Sequence, residues 1–458
     1  MTTMMESLTT TIQAPVKGHL NKSVADAYAQ LEEAYIYRHP TSHSIYKSAT
    51  ESLPGGNTRS VLFYAPFPLS IKYAEGARLH DADGHSYIDM LGEYTAGLYG
   101  HSEPLITNAI KSAVDRGLSF GSHHEDEAHL AKAIKARFSP SMELLRFTNS
   151  GTEATLMALA AAKVYTGRKK IVVFSGGYHG GAFSFKAGVS SPVNAPHEYL
   201  IARYNSIDSV KDLAESPENR DDVAAIIVEP MIGSGGAIPG EPSFLEGLRK
   251  VANEWGAVLI YDEVMTSRMY SGSGIQSQLT PENRPDLTTL GKWIGGGMSF
   301  GAFGGRREIM ELFDPRKKNA LAHAGTFNNN VLTMAAGRVG MEQIFTPEKA
   351  QALHDRGEKL RKQLEDVSKG TLMRWTGLGS IINVSFTPAT DITCPEDFGK
   401  PWTELGDCLH LFMLEHGYYM ARRGFLALSL ALTDKDLAGF VENVEAFVKA
   451  FQPLIALK

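Results

Sequence analysis

The sequence predicts an α/β protein built on a mostly parallel sheet that helices cover on both faces. From about residue 100, short apolar runs alternate with amphipathic segments of helical spacing. The apolar runs, such as residues 170–174 and 223–228, lack polar alternation, which is typical of strands buried on both faces. The chain has 458 residues, which is long enough for two domains with sizeable cores.

The predicted elements follow the chain in a regular order. A helix is predicted at residues 24–37, where apolar side chains recur at helical spacing. Short strands follow within residues 71–90, separated by turns at Glu75-Gly76 and Asp83-Gly84. In the alternating part, helices are predicted at 105–114, 129–138, 154–165 and 244–255, and strands at 170–174, 223–228 and 257–261.

The chain changes character after about residue 346. A charged helix is predicted at residues 347–367, strands at 381–386 and 425–430, and a closing helix at 437–451. Together with the N-terminal strands, these elements would form a second, smaller α+β domain. The predicted organisation is a disordered arm at 1–22, a small domain made of 23–89 and 346–458, and a large domain at 90–345.

Bulk composition excludes several classes of function. A net charge of −6 and an isoelectric point near 6.2 argue against nucleic acid or an anionic membrane as the main partner. No apolar run approaches the roughly 18 to 20 residues that a membrane span needs. The two cysteines, Cys394 and Cys408, favour a reducing compartment. The first 20 residues contain no signal-peptide core, and they lack the arginines typical of a mitochondrial leader, which remains an alternative. We expect a cytoplasmic protein.

Two residues about thirty positions apart point to chemistry with an aldehyde cofactor. Asp262 closes an apolar run in IYDEVMT, and Lys292 lies among small residues in DLTTLGKWIGGG. A carboxylate can hold the protonated ring nitrogen of pyridoxal phosphate (PLP), and a lysine can bind its aldehyde covalently. Each residue alone is as well explained by a buried structural acid or a solvated lysine.

A phosphate site and an aromatic turn strengthen this interpretation. Ser150, Gly151 and Thr152 precede a long helical pattern, and the free amides of a helix N-terminus favour a phosphate. The alternative for these residues is an ordinary helix cap. Tyr178 lies in SGGYHGG after a predicted strand, where its ring could stack on a flat ligand or pack as part of a plain turn.

These motifs together resemble class III PLP-dependent aminotransferases. SGTEA, GGYHGG, DEVMT, DLTTLGK and GGGMSFGAFGG occur in the family's order and spacing over roughly residues 40–450. The segment PGGNTRSVLFYAPFP is similar to the β-amino acid (β-phenylalanine) aminotransferases, and the glutamate-1-semialdehyde 2,1-aminomutases are a related group. The resemblance implies the fold type I architecture, PLP as cofactor and a homodimer.

The resemblance also implies roles for individual residues. Lys292 would hold PLP, Asp262 would contact the ring nitrogen, and Tyr178 and Val264 would lie on the two faces of the ring. Thr326 matches the residue that reaches the phosphate of the neighbouring subunit, which implies shared active sites. His123 matches a segment that approaches the partner's site. Glu229, which ends a predicted strand, would support the cofactor from behind or cap the chain locally.

Two arginines are candidates for binding substrate carboxylates, because a planar guanidinium suits a bidentate contact. Arg59 matches the arginine of the β-amino acid enzymes, and Arg423 is similar to a second one on a loop. Arg422 next to it, and an ordinary surface role for either arginine, remain alternatives. Tyr94 would line the same pocket or pack in the core.

The activity inferred from these residues is transfer of an amino group to a keto acid, 2-oxoglutarate or pyruvate. The segment GTFNNN at 325–330 departs from the GTLSGNP typical of the aminomutases, which favours an intermolecular aminotransferase. An aminomutase and a non-catalytic PLP-fold binding protein remain alternatives. No metal is expected: His124 and His129 are five residues apart, about 140° around a helix.

Overall fold

A computed structural model describes residues 23–457, so the predicted arm at 1–22 lies outside the described residues. A seven-stranded sheet forms the centre of the molecule, and only Gly301–Gly305 runs antiparallel to its neighbours. The mostly parallel α/β architecture is thereby confirmed. Across the sheet, the strand order is Leu144–Thr148, Gly301–Gly305, Leu287–Gly291, Val258–Asp262, Val223–Val228, Lys170–Phe174 and Glu198–Ala202.

Helices cover this sheet and the remainder of the chain. Two of these helices are capped by the side chain of the preceding residue. Thr346 precedes Pro347–Val367 and Ser150 precedes Gly151–Thr166, and each side chain accepts a hydrogen bond from a first-turn amide. Within residues 23–457, the α-helices are Val24–Arg38, Pro40–Thr50, Pro104–Arg116, Glu125–Arg137, Gly151–Thr166, Ile207–Leu213, Pro217–Arg220, Pro242–Trp255, Arg307–Met310, Val331–Val339, Pro347–Val367, Thr403–Glu415 and Asp434–Ile455.

Three smaller sheets complete the described structure. A four-stranded sheet joins both ends of the chain, because Tyr418–Tyr419 pairs in parallel with Ser86–Asp89. That sheet also contains Ile71–Glu75 and Arg78–Asp81; a three-stranded sheet contains Met373–Leu378, Ile381–Phe386 and Phe425–Ala427; and a hairpin contains Met231–Ile232 and Ile238–Pro239. The pairing of both chain ends fits the predicted small domain, whose boundaries near 90 and 346 stay a prediction.

The predicted elements agree with the structure except at some ends. The strands at 170–174, 223–228 and 381–386 have the predicted bounds. The helix predicted at 129–138 begins earlier, at Glu125, where three acidic residues fill its first turn and favour its N-terminus. The strand predicted at 425–430 ends at Ala427. No helix within residues 23–457 is long and apolar enough to cross a membrane.

The parallel strands bring distant residues to one edge of the sheet. Asp262 is the last residue of its strand, Glu229 follows Val223–Val228, and Lys292 follows Leu287–Gly291. Ser150 and Tyr178 come shortly after two further strands. In an open α/β sheet, ligands bind at the carboxyl ends of the strands, where these side chains lie.

Candidate active site

A cavity of about 740 Å³ opens at this edge of the sheet. Its volume is in the range of small-molecule and cofactor sites. Every site residue predicted from the sequence lines it except His123 and Thr326. The predicted residues that line the cavity are Arg59, Tyr94, Ser150, Gly151, Thr152, Tyr178, Glu229, Asp262, Val264, Lys292 and Arg423.

Lys292 presents a reactive amine to this cavity. Its backbone has a φ of +57°, which is uncommon for a residue other than glycine and turns the chain sharply after the strand. The Nζ atom donates a hydrogen bond of 2.9 Å to the carbonyl oxygen of Tyr94. Burial lowers the pKa of Lys292 to about 8, although the nearby carboxylates of Asp262 and Glu229 act in the opposite direction.

This pKa leads to a testable pH dependence. Only the neutral amine attacks an aldehyde, so protein freed of cofactor should bind added PLP at Lys292 faster as pH rises. The rate of appearance of the visible absorbance band should increase about tenfold per pH unit below about 8 and level off above it. A rate that keeps rising to pH 10, as for a solvated lysine, would contradict the burial argument.

Asp262 is held by two hydrogen bonds at the base of the cavity. Its Oδ2 atom lies 2.8 Å from Nδ1 of His179, and its Oδ1 atom accepts from the amide of Val264 at 3.0 Å. Burial alone would lower the pKa of His179, but the hydrogen bond and charge of Asp262 raise it above its ordinary value. The hydrogen bond from His179 therefore fixes the orientation of the Asp262 carboxylate at the base of the cavity.

His179 is a site residue that the sequence-based prediction did not include. It is nearly fully buried and lines the cavity, and its Nε2 atom has no hydrogen-bond partner within residues 23–457. The signal was present in the GGYHGG turn, where this histidine directly follows Tyr178. The turn places Tyr178, which is 44% exposed, at the cavity and buries the next residue.

Glu229 connects two loops behind the cavity. One carboxylate oxygen accepts from the amide of Tyr178 at 2.8 Å, and the other accepts from the amide of Gly233 at 3.0 Å. Burial raises the pKa of Glu229 to about 7. The side chain therefore satisfies backbone amides locally and fixes the turn that carries Tyr178, while its support of the cofactor stays a prediction.

The N-terminus of the helix Gly151–Thr166 forms a narrow anion cradle. Ser150 caps it, accepting from the amide of Glu153 at 3.2 Å. The segment that carries Gly180 approaches this helix end so closely that a Cβ on Gly180 would lie 2.2 Å from Oγ1 of Thr152. That hydroxyl oxygen also accepts from the amide of Gly181 at 3.1 Å. Unpaired first-turn amides and the helix dipole favour a phosphate here.

Two guanidinium groups line the cavity around the ring of Tyr94. The Cζ atoms of Arg59 and Arg423 are 5.8 Å and 5.4 Å from the centre of that ring. Arg422 instead binds Asp407 through two donors, at 2.5 and 2.7 Å. The structure therefore distinguishes the adjacent arginines: Arg423 lines the cavity and Arg422 does not.

Thr326 and His123 lie on neighbouring surface segments outside the cavity. Both are exposed, and the segments meet where the Asn329 amide donates to the Ser122 carbonyl oxygen at 3.1 Å. The same surface exposes Phe120 and Phe327. A single subunit therefore gives neither predicted residue a contact with its own site, and their roles stay predictions about a second subunit.

One group of potential metal ligands lies elsewhere, in the N-terminal part of the chain. The ligand atoms of His39, Asp81 and His85 are within 4.8 Å of one another. They already form hydrogen bonds: His85 to Asp81 at 3.0 Å, and His39 to Tyr87 at 2.8 Å. The hydroxyl of Tyr87 also donates to Asp81 at 3.0 Å. This network accounts for the buried polar atoms without an ion.

Comparison with known proteins agrees with this geometry. The family model for class III aminotransferases matches residues 63–444. The chain belongs to the class III aminotransferases. It is 48% identical over 431 residues to a β-phenylalanine transaminase of Variovorax paradoxus, a match that covers 94% of this chain and 96% of the relative. It is 37% identical to a glutamate-1-semialdehyde 2,1-aminomutase of Heliobacterium modesticaldum, and that match covers 91% of this chain and 97% of the relative.

Solved structures give the same result. The crystal structure of a β-phenylalanine aminotransferase from Variovorax paradoxus superposes with a TM-score of 0.91 at 47% identity, covering 95% of this chain and 99% of that one. A transaminase with PLP bound superposes with a TM-score of 0.82 at 29% identity, covering 91% of this chain and 99% of that one. The enzyme is thus a PLP-dependent aminotransferase. Its buried amine at Lys292, buried acid at Asp262 and helix-end cradle are complementary to the aldehyde, ring nitrogen and phosphate of PLP.

Proposed function

We propose that this enzyme moves an amino group from a β-amino acid or related amine to a keto acid, 2-oxoglutarate or pyruvate, by a ping-pong mechanism. The observation that carries the proposal is the pair Arg59 and Arg423, which faces the same cavity as Lys292. Two guanidinium groups suit two substrates that bear carboxylates and bind in turn. The 48% identical β-phenylalanine transaminase supports the donor class.

Each residue at the base of the cavity has a role in this proposal. Lys292 would hold the cofactor, and its amine would take the proton from the donor carbon that bears the amino group. Asp262, oriented by His179 and the Val264 amide, would keep the ring nitrogen protonated. Tyr178 and Val264 would hold the ring between them, and the helix end would hold its phosphate. Bound PLP supplies the electron-withdrawing ring that makes the donor's C–H bond acidic.

The arginines predict a separation between donor and acceptor effects. A charge-assisted bidentate contact contributes about 1.5 to 3 kcal/mol. Arg423→Ala should raise the KM for 2-oxoglutarate roughly ten- to a hundredfold and leave pyruvate, which has no distal carboxylate, nearly unaffected. Arg59→Ala should penalise β-amino acid donors and spare neutral amines. Arg422→Ala is the matched control. The cavity arginines would be structural if Arg422→Ala acted like Arg423→Ala. They would also be structural if Arg59→Ala and Arg423→Ala lost activity equally with every substrate.

A panel of donors and acceptors tests the proposed activity. Purified enzyme with PLP is incubated with β-amino acids, α-amino acids and aryl amines, each with 2-oxoglutarate or pyruvate. We expect turnover of an aromatic β-amino acid that depends on the keto acid. Turnover of α-amino acids alone would overturn the donor class, and absence of any turnover with bound PLP would favour a binding protein.

An aminomutase of the glutamate-1-semialdehyde type is the second candidate, because a relative of that activity is 37% identical over 439 residues. Such an enzyme moves the amino group within one molecule and needs no added keto acid. Product formation from an amino aldehyde without an acceptor would therefore support the second candidate over the first.

We also propose a homodimer with shared sites, in the cytoplasm. The exposed rings of Phe120 and Phe327 beside Thr326 suit a surface that a second subunit covers. Both cysteines are free and buried, which suits a reducing compartment.

Shared sites predict complementation between two inactive variants. Lys292→Ala and a Thr326 variant that cannot reach the phosphate, Thr326→Asp, should each be inactive or weak alone. After subunit exchange, hybrid dimers should recover activity, because one of their two sites would combine an intact Lys292 with an intact Thr326. Size-exclusion chromatography with tagged subunits confirms the exchange, and exchange without recovered activity would count against shared sites.

A further inference from the structure

The short segment Glu93–Tyr94–Thr95 has an unusual backbone conformation beside the cavity. The φ angles of these three residues are +46°, +51° and +83°, a region that residues other than glycine rarely adopt. Surrounding contacts hold it: the Tyr94 carbonyl accepts from Lys292 Nζ at 2.9 Å, and Thr95 is fully buried. Conformations of this kind persist only where the structure enforces them, and they cluster at functional sites.

The turn directs the carboxylate of Glu93 to Arg59. Nη1 of Arg59 donates to Oε1 of Glu93, and about half of each side chain is exposed. Arg423, on the same Tyr94 ring, bonds instead to the hydroxyl and carbonyl of Ser234, at 2.9 and 3.3 Å. Within residues 23–457, Arg423 forms no ion pair. The two cavity arginines therefore differ, because the protein itself supplies a carboxylate to only one of them.

We propose that Glu93 is a specificity-determining residue that occupies Arg59 until a donor's carboxylate replaces it. This inference rests on the proposed function in one respect, that the donor carboxylate binds Arg59. A substrate carboxylate must compete with Glu93, so only a donor that makes a good bidentate contact gains from binding there. A donor without a carboxylate leaves the Glu93–Arg59 pair intact. The Arg59 guanidinium therefore stays paired when the apolar part of such a donor lies next to it.

Removing the charge of Glu93 should shift the enzyme toward carboxylate ligands. Glu93→Gln keeps the size of the side chain and removes the competing charge. Because a half-exposed ion pair is weak, the dissociation constant of 3-phenylpropionate, an unreactive aromatic carboxylate, should fall roughly two- to fivefold. The KM for an aromatic β-amino acid should fall by a similar factor, while that for a neutral aryl amine should stay the same or rise.

Calorimetry and kinetics on the PLP-loaded enzyme test this together. Binding of 3-phenylpropionate is measured for the wild type and for Glu93→Gln. Glu33→Gln, which removes an exposed acid on the first helix, is the control variant. The alcohol 3-phenylpropanol is the uncharged control ligand. In an Arg59→Ala background, Glu93→Gln should change nothing. Folding of each variant is checked by thermal unfolding, and Glu93→Asp, which keeps the charge, serves as the second variant if Glu93→Gln is unstable.

The outcomes separate this inference from the proposed function. Tighter 3-phenylpropionate binding that requires Arg59 supports the role of Glu93, even if no β-amino acid is turned over; in that case the donor class fails alone. Unchanged or weaker binding in Glu93→Gln, with β-amino acid turnover intact, overturns the role of Glu93 and leaves the proposed function standing. An equal effect of Glu93→Gln on 3-phenylpropanol, or in the Arg59→Ala background, would also overturn it.

Discussion

Lys292→Ala should abolish transamination. Under the proposed function, the variant would lose both the covalent attachment of PLP and the amine that moves the proton. A positioned proton-transfer group alone accounts for roughly 10²- to 10⁴-fold in rate. We therefore expect kcat to fall by about three orders of magnitude or more. Folding should be kept, because the change removes a buried amine that is costly to charge.

The measurement is turnover of the best donor, with PLP content determined on the same sample. Lys250→Ala is the matched control, because Lys250 is exposed on the helix Pro242–Trp255. Reduction with borohydride followed by peptide mapping should place the pyridoxyl group on Lys292. Finding it on Lys250 or Lys170, or near-normal activity in Lys292→Ala, would contradict the assignment.

Asp262→Ala should have the second largest effect. It removes the acid proposed to hold the ring nitrogen and leaves Nδ1 of His179 without its 2.8 Å partner. Losing the buried charge pair with the ring nitrogen would cost about 3 to 5 kcal/mol, which corresponds to a loss in kcat/KM of roughly two to four orders of magnitude. The affinity for PLP should fall as well, as measured by equilibrium dialysis.

Asp262→Asn separates charge from shape at this position. The side-chain oxygen of asparagine can still accept a hydrogen bond from the backbone amide of Val264, so the fold of the turn should be kept. Activity should nevertheless remain close to that of Asp262→Ala, because a neutral amide does not keep the ring nitrogen protonated. Activity near the wild-type level in Asp262→Asn would show that this carboxylate is structural.

Three strands of the central sheet and the two acids at their ends were predictable because their signals are local. Val223–Val228 is apolar throughout, and Asp262 and Glu229 lie at the ends of such runs, where ligands bind. Gly301–Gly305 was missed because its sequence, GAFGG, lacks the β-branched residues that mark a strand. Its Gly301 is required by close packing, since a Cβ there would lie 2.1 Å from the Ser150 carbonyl oxygen.

Contacts between residues far apart in sequence could not be predicted. The Glu93–Arg59 ion pair depends on a left-handed turn that continues from Gly92 through three residues other than glycine, and the sequence contains no signal for that continuation. The choice between Arg422 and Arg423 depended on Asp407, which lies on a separate helix and binds only the former. The proposed partner-dependent roles of Thr326 and His123 lie beyond a single chain, and complementation tests that of Thr326.

A single half-reaction tests the account most directly. The PLP-loaded enzyme is mixed with an excess of β-phenylalanine in the absence of any keto acid, and the keto product and cofactor absorbance are followed. We predict one equivalent of keto product per Lys292, loss of the visible band, and recovery of that band only when 2-oxoglutarate or pyruvate is added. No keto product, or continued turnover without an acceptor, would contradict an intermolecular aminotransferase that uses β-amino acids.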